Sequence, residues 1–148
     1  MREILYKAKV KDWKQRPKDK QWVYGYYVCG VDMCNKSTHI IFDPTTMFYS
    51  HGETDGWEEV DPDTLCQFTG FVDKNNNKIW ENDIIKKMDS NALGYHRERI
   101  CKVSFDKLGY WKVMTTLGDG YWFGELNLRE TEFEVIGNKF DNPEPLEV

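Results

Sequence analysis

The sequence predicts a mainly β protein, a β-rich α+β chain with at most one or two short helices. Its 148 residues include eight Phe, eight Tyr and six Trp, which favour the pleated surface of a strand. Short apolar runs are separated by turn residues about every eight to twelve positions, a spacing typical of barrels and barrel-like sheets. We therefore expect one domain, 1–148, with an N-terminal mixed sheet over 1–60, a small SH3-like barrel over 65–140 and a tail over 141–148.

Three strands and a hairpin partner are predicted in the N-terminal part. Residues 2–11 alternate, which predicts a half-buried strand with lysines on its open face; the apolar face holds Ile4, Tyr6, Ala8 and Val10. Residues 21–31 form a strongly β-forming aromatic run, in which Gly25 is a candidate bulge. Residues 38–42 read as a further strand that pairs with 47–50 as a hairpin.

The central stretch 65–85 reads LCQFTGFVDKNNNKIWENDII and alternates apolar runs with turn residues. Thr69-Gly70 is expected to end the strand 65–68, because glycine adopts backbone angles that other residues avoid. The three asparagines 75–77 suit a tight reversal, since asparagine tolerates the left-handed region. The trio 81–83 is expected to be a sharp turn or a bulge between two strands.

Residues 86–148 are expected to contain further short strands. Residues 86–94 are polar and are expected to form a mobile loop. Strands are predicted over 97–106, 110–115, 121–123 and 132–138, with a short helix over 125–130.

The central stretch resembles the signature of the YopX family, small proteins of bacterial prophages, whose pattern runs roughly G-Q-Y-T-G-L-x-D-K-N-G-K-x-I-Y-E-G-D-I-V. The matching residue types are Gln67, Thr69, Gly70, Asp73, Lys74, Asn75, Ile79, Glu81, Asp83 and Ile84, and similar residues at 1–4, 22–27, 134–138 and 142–144 extend the resemblance over nearly the whole chain. Family glycines are replaced by Cys66, Asn76 and Asn82. Asparagine is the non-glycine residue that best tolerates positive φ. The resemblance implies a fold and a bacterial host, and no reaction or ligand.

No catalytic motif of a familiar kind is present: there is no G-x-S-x-G, H-E-x-x-H or P-loop pattern. Glu81 and Asp83 are the closest pair of motif carboxylates; we expect Asp83 to bond turn amides and Glu81 either to do the same or to pair with a cation. The whole motif set is interpreted as structural: Gln67, Thr69, Gly70, Asp73, Glu81 and Asp83. Cys29 and Cys34 are separated by four residues, at the edge of zinc-ligand spacing, but no second cysteine pair or close histidine completes a site. We therefore expect reduced thiols, no cofactor or metal, and no enzyme activity.

Charge is distributed unevenly along the chain. Through residue 20 there are eight Lys/Arg and three Asp/Glu, a net +5, so with −5 overall the remainder carries −10. Residues 51–63 hold six acids and no Lys or Arg. This asymmetry suggests a non-enzymatic interaction or assembly module. As a homo-oligomer, it would set the basic N-terminus of one subunit on the acidic stretch or tail of another. Its candidate exposed aromatics are Trp13, Trp57, Trp111 and Trp122.

The alternative hypothesis is nucleic-acid binding, with bases stacked on indoles and phosphates contacted by cations. The candidates are Lys9, Lys11, Trp13, Lys14, Arg16 and Trp22. The net charge of −5 and a pI near 5.2 disfavour this hypothesis, because phosphate-binding domains are usually basic. The chain contains no apolar stretch of about 18 residues and no secretory signal pattern. We expect a cytoplasmic protein.

Overall fold

A computed structural model describes residues 3–43, 45, 56–90, 93–118, 120–122 and 133–146. The protein is mainly β, as the sequence predicts. Every helical segment among the described residues is a three-residue 3-10 turn. The chain divides into two units, Met1–Phe68 and Thr69–Val148.

The first unit is an antiparallel sheet with its core on one face. Its strands are β1 (Tyr6–Lys9), β2 (Trp22–Val31), β3 (Ser37–Phe42), β4 (Trp57–Glu59) and the beginning of β5 (Cys66–Val72). They lie in the order β4-β3-β2-β1-β5. Ala8, Ile41 and Val60 form the buried cluster, with Tyr6, Val23, Tyr27 and Leu65 packed against it. Alternate residues of β2 and β3 therefore face this core.

Both faces of β1 are buried, so the expectation of lysines on an open face is wrong. Lys7 and Lys9 are only 6% and 1% exposed. The ammonium of Lys7 lies 5.1 Å from the ring centre of Trp22, and that of Lys9 lies 4.0 Å from the ring centre of Trp13. The indoles cover the lysine stems and contact the charged ends, which makes this burial tolerable. Ile4, by contrast, is 55% exposed.

The second unit contains a five-stranded antiparallel sheet. The strands that follow β5 along the chain are β6 (Lys78–Trp80), β7 (Asp83–Ser90), β8 (His96–Phe105), β9 (Trp111–Thr115), β10 (Gly120–Trp122) and β11 (Phe133–Asn138). Strand β6 lies beside β5, and the other five form the five-stranded sheet. The five-stranded order is β10-β9-β8-β7-β11. The core consists of Ile79, Ile85, Cys101, Val103, Trp111, Val113 and Phe133. Over the described ranges this order is open, and closure into an SH3-like barrel stays a prediction.

Three local expectations are wrong in the second unit. Residues 86–90 belong to β7, because Lys87 pairs with Arg99 on one side and Phe133 on the other. Thr69-Gly70 does not end a strand, since β5 runs through it. Trp111, expected to be exposed, is 7% exposed and lies in the core. The predicted hairpin strand 47–50 and the predicted helix 125–130 fall outside the described residues.

The same type of five-residue loop closes three hairpins. We call these the aspartate loops: residues 32–36, 73–77 and 106–110. In each, the first residue is an aspartate whose backbone N–H donates to the carbonyl of the fifth residue, at 2.9, 2.9 and 2.7 Å. The fourth residue has positive φ: Asn35 at 61°, Asn76 at 64° and Gly109 at 88°. Asn82 likewise has φ of 65°. The expectation that asparagine replaces glycine for its backbone conformation is confirmed at 76 and 82.

Candidate functional site

The face of the first-unit sheet opposite its core carries aromatic and apolar side chains. Alternate residues of β2 project there, and the register sets Tyr26 opposite Phe42 and Phe42 opposite Trp57. One aromatic row thus crosses three strands. We call the following side chains the aromatic face: Trp22, Tyr24, Tyr26, Val28, Phe42 and Trp57.

The aromatic face is substantially open to solvent. Tyr24, Tyr26, Val28 and Trp57 are 51%, 50%, 48% and 45% exposed. The solvent face of an antiparallel sheet normally carries polar residues. Contiguous exposed apolar side chains are instead typical of interaction surfaces. Trp22 and Trp57 are candidates from the sequence, whereas the other side chains of the aromatic face are not, although the i, i+2 spacing of 22, 24 and 26 contains the signal.

A cleft of about 340 Å³ opens at one end of the aromatic face. It forms where β2 extends past the last residue of β3, and its walls include Trp22, Tyr24 and Trp57. Gly25 lies at the same place: a Cβ there would sit 1.7 Å from the carbonyl oxygen of Phe42, and its φ is +155°. Glycine is therefore required where β2 approaches the end of β3.

The basic N-terminal candidates are largely paired with the acidic stretch of the same chain. Lys11 Nζ lies 2.6 Å from Glu59 Oε1. Arg16 lies 2.8 Å from Asp12 and 3.4 Å from Glu58. Lys11 and Arg16 thus pair with acids of the same chain, because Val10 bridges Val60 and the N–H of Lys11 donates to the carbonyl of Glu59. Pairing of the basic N-terminus with an acidic surface of another subunit stays a prediction.

The remaining nucleic-acid candidates have distinct surroundings. Trp13 Nε1 donates to Asp61 Oδ2 at 3.1 Å. Lys9 Nζ donates to Gln21 Oε1 at 3.0 Å and lies 5.4 Å from the ring centre of Trp22. Lys14 is exposed, with its ammonium 5.5 Å from the Trp13 ring centre. The structure gathers all these side chains, but it buries the ammonium of Lys9 rather than presenting it.

Asp73 organises the second aspartate loop and joins it to β11. Its Oδ1 accepts from the backbone N–H groups of Asn75 and Asn77, at 2.9 and 2.8 Å. Its Oδ2 accepts from Asn77 Nδ2 at 3.2 Å and from the N–H of Val135 at 3.0 Å. Burial alone raises the pKa of Asp73, but these four hydrogen bonds outweigh burial and hold the pKa below its ordinary value.

The other motif residues lie in strands and turns. Thr69, 2% exposed, donates from its hydroxyl to the carbonyl of Ile79 at 2.7 Å. Asp83, also 2% exposed, accepts at 2.8 Å from the backbone N–H of Trp80, a turn amide. The rest are placed as follows: Gln67 opposite Tyr6 in the first unit, Gly70 in β5 with φ of 89°, and Glu81 in the β6–β7 turn.

Within the described ranges, no group of three or more His, Cys, Asp or Glu side chains is arranged to hold a metal ion. Likewise, none of the helices in the described part of the chain is long and apolar enough to cross a membrane. Among the cysteines, Cys29 and Cys34 are exposed, whereas Cys66 and Cys101 are buried.

A family model described as "YopX protein" matches residues 11–147. The chain belongs to the YopX family. The chain is also similar to the crystal structure of protein EF1440 from Enterococcus faecalis, with a TM-score of 0.46, 19% identity and 99% of each chain covered. No curated protein sequence matches it.

Proposed function

We propose that this YopX protein is a non-enzymatic interaction module that associates with a second copy of itself through the aromatic face. The observation that carries the proposal is the row of half-exposed aromatic side chains on the solvent side of the first-unit sheet. Following the family resemblance, we place this module in the cytoplasm of a bacterial host, encoded by a prophage.

An apolar contact fits the surroundings of the aromatic face better than a charged one. Two acidic residues beside the aromatic face, Glu58 and Glu59, already accept from Arg16 and Lys11. Part of the charge at this edge is therefore already paired within the chain. Burial of aromatic area drives association with little dependence on salt, whereas exposed ion pairs are screened.

The test is the molar mass by light scattering across protein concentration, at about 0.05 M and 1 M salt. We expect a dimer at both salt concentrations. Replacing Tyr24 and Tyr26 by serine should shift the equilibrium toward monomer. If association buries roughly 100 Å² of each tyrosine, each side chain contributes up to about 2.5 kcal/mol at 25 cal/mol per Å². The double variant should then weaken association by at least one order of magnitude, even after the cost of ordering the interface.

The matched control replaces Tyr95 and Tyr110, which are 72% and 56% exposed in the second unit, by serine. This double variant should have the same monomer–dimer equilibrium as the wild type. A wild-type protein that is monomeric at all concentrations and salts contradicts the proposal. A dimer that dissociates only in high salt would instead support the version in which the basic N-terminus meets an acidic surface of another subunit.

The second candidate function is nucleic-acid binding, and one observation favours it. The ammonium groups of Lys7 and Lys9 lie 5.1 and 5.4 Å from the ring centre of Trp22. Two positive charges therefore lie next to an aromatic side chain that lines the cleft. Stacked bases with nearby cations are typical of single-strand binding. Gel shifts with single- and double-stranded oligonucleotides at low salt test this function. The absence of a shift at micromolar protein would remove it.

A further inference from the structure

Three reactive or titratable side chains meet on the core face of the β2–β3 hairpin. The register sets Cys29 directly opposite His39, and directly opposite residues share a face with Cβ atoms about 4.5–5.5 Å apart. Tyr27, two residues before Cys29, projects from the same face. Its hydroxyl lies 2.7 Å from His39 Nδ1, and the two rings are nearly parallel, at 10°.

The environment changes sharply along this cluster. Tyr27 packs against the first-unit core, and its ring centre lies 5.5 Å from that of Tyr6. Burial raises the pKa of Tyr27, and the hydrogen bond to Cys29 raises it further. The phenol therefore keeps its proton and stands between a thiol and an imidazole. Cys29 itself is exposed to solvent.

The register places Cys29 beside this pair, and the Tyr27 hydroxyl bonds His39 Nδ1 at 2.7 Å, so a hydrogen-bonded chain can run from the sulfur through the phenol to the ring nitrogen. When Cys29 is a thiol, its S–H can donate to the Tyr27 oxygen, and the Tyr27 O–H donates to His39 Nδ1. When Cys29 is a thiolate, the direction reverses: His39 Nδ1–H donates to Tyr27, and Tyr27 donates to the sulfur. A pairing of thiol and histidine is the chemistry that activates sulfur nucleophiles.

We propose that Cys29 is a reactive thiol, activated by proton transfer through the Tyr27 hydroxyl to His39, which forms a mixed disulfide with low-molecular-weight disulfides. This proposal is independent of the proposed function. Cys29 and its neighbours lie on the core face of the sheet, whereas the aromatic face is on the other side.

The exchange step balances without any further oxidant. The Cys29 sulfur attacks one sulfur of the small disulfide, a new S–S bond forms, and the original S–S bond breaks. The departing thiolate carries away the electron pair of the broken bond and takes up the proton that Cys29 gave to His39. Cys29 is oxidised and the departing sulfur is reduced.

The structure offers a polar recess beside this cluster. His39 lines a cleft of about 280 Å³ whose other walls include Lys11, Lys36, Glu59 and Asp61. Such a mixed-charge lining suits a small hydrophilic disulfide better than an apolar electrophile. A neutral probe, 4,4′-dithiodipyridine, should be used in the test so that attraction to the two lysines does not affect the rate.

The chain supplies its own control thiol, because Cys34 is also exposed but lies in the first aspartate loop. In the full-length C34S variant Cys29 is the one exposed thiol, and in C29S it is Cys34. At pH 7 we expect Cys29 to react with the probe about 3- to 10-fold faster than Cys34, as a hydrogen-bonded, histidine-linked thiol should. Adding Y27F or H39Q to C34S should reduce the rate to that of Cys34.

The buried thiols Cys66 and Cys101 report whether each variant is folded, since they should react only after unfolding. A variant that releases one equivalent of thiopyridone is folded, and one that releases three is not. If H39Q fails this check, Y27F decides the question. Equal rates for Cys29 and Cys34, or a Cys29 rate unchanged in the folded Y27F variant, would overturn the proposal.

Discussion

Replacing Asp73 by asparagine should destabilise the protein strongly, although the change is nearly isosteric. Each carboxylate oxygen of Asp73 accepts two N–H groups, and the side chain is only 4% exposed. Asparagine offers a single oxygen. Its amide N–H₂ would face one of two pairs of donors, either the backbone N–H groups of Asn75 and Asn77 or the Asn77 Nδ2 group and the Val135 N–H. Because a donor cannot accept from another donor, two of the four hydrogen bonds would be lost.

The magnitude follows from the charged acceptor. A hydrogen bond to a charged group contributes roughly 1.5–3 kcal/mol, so the loss of two predicts a decrease of about 3 kcal/mol or more in the free energy of unfolding. For a chain of this length, such a decrease corresponds to a fall in Tm of roughly 6–12 °C. The effect is expected to be far larger than the change in side-chain volume would suggest.

The effect should depend on pH with a definite sign. The pKa of Asp73 is lower in the folded protein than its ordinary value. The stabilisation by the ionised carboxylate is therefore complete above the unfolded pKa, near 3.9, and disappears as pH falls through the folded pKa. The stability difference between wild type and D73N should be largest near neutral pH and should narrow in acid.

The matched control is D32N, in the first aspartate loop. Asp32 Oδ1 also accepts from the second and fourth following N–H groups, at 2.9 and 2.8 Å, but Asp32 is exposed. The asparagine oxygen can retain both of these bonds, so we expect a change within about 1 kcal/mol. Urea unfolding of wild type, D73N and D32N, at pH 7 and in acid, measures all six stabilities. Equal stabilities of D73N and D32N, or a D73N deficit that does not change with pH, would refute the reasoning.

Three further predictions follow from backbone geometry and from the tyrosine cluster. Asn76→Ala should lower the unfolding free energy by about 1–2 kcal/mol, whereas Asn76→Gly should be nearly neutral, because φ at this position is 64°; urea titrations would compare them. Gly25→Ala should lower it by more than about 3 kcal/mol, through the clash with the Phe42 carbonyl; retention of the wild-type Tm would contradict this. In an alkaline absorbance titration, Y27F should lack a late-ionising tyrosine, since the Tyr27 pKa is raised. The stabilisation that the neutral Tyr27 phenol contributes is complete below the pKa of tyrosine in the unfolded chain, and it is lost as pH rises through the pKa in the folded protein.

The sequence allows accurate prediction where local chemistry decides the conformation. Asn76 and Asn82 adopt positive φ because asparagine tolerates that region, and the turn amide of Trp80 reaches Asp83 across three residues. Such interactions depend on neighbours in sequence, so residue type and spacing are sufficient to predict them.

Prediction fails where distant pairing decides the environment. The alternation of β1 gives no sign that Trp13 and Trp22 would cover Lys7 and Lys9. Residues 86–90 look like a loop until β8 pairs with all five of them and β11 pairs with the first two. The pairing of Lys11 with Glu59 likewise joins residues 48 positions apart, and a charge count cannot tell such a pair from one between subunits.

The repeated aspartate loops have a consequence for folding kinetics. Each joins two adjacent strands with five residues, and such hairpins close within about 1–10 μs. By contrast, β11 must find β7, and β5 must find β1, across about 50 residues or more, and contacts this distant slow folding. We expect the distant pairings to set the folding rate. Substitutions at Asn35 and Gly109 should then slow refolding and leave the unfolding rate nearly unchanged, because these loops are already formed in the transition state.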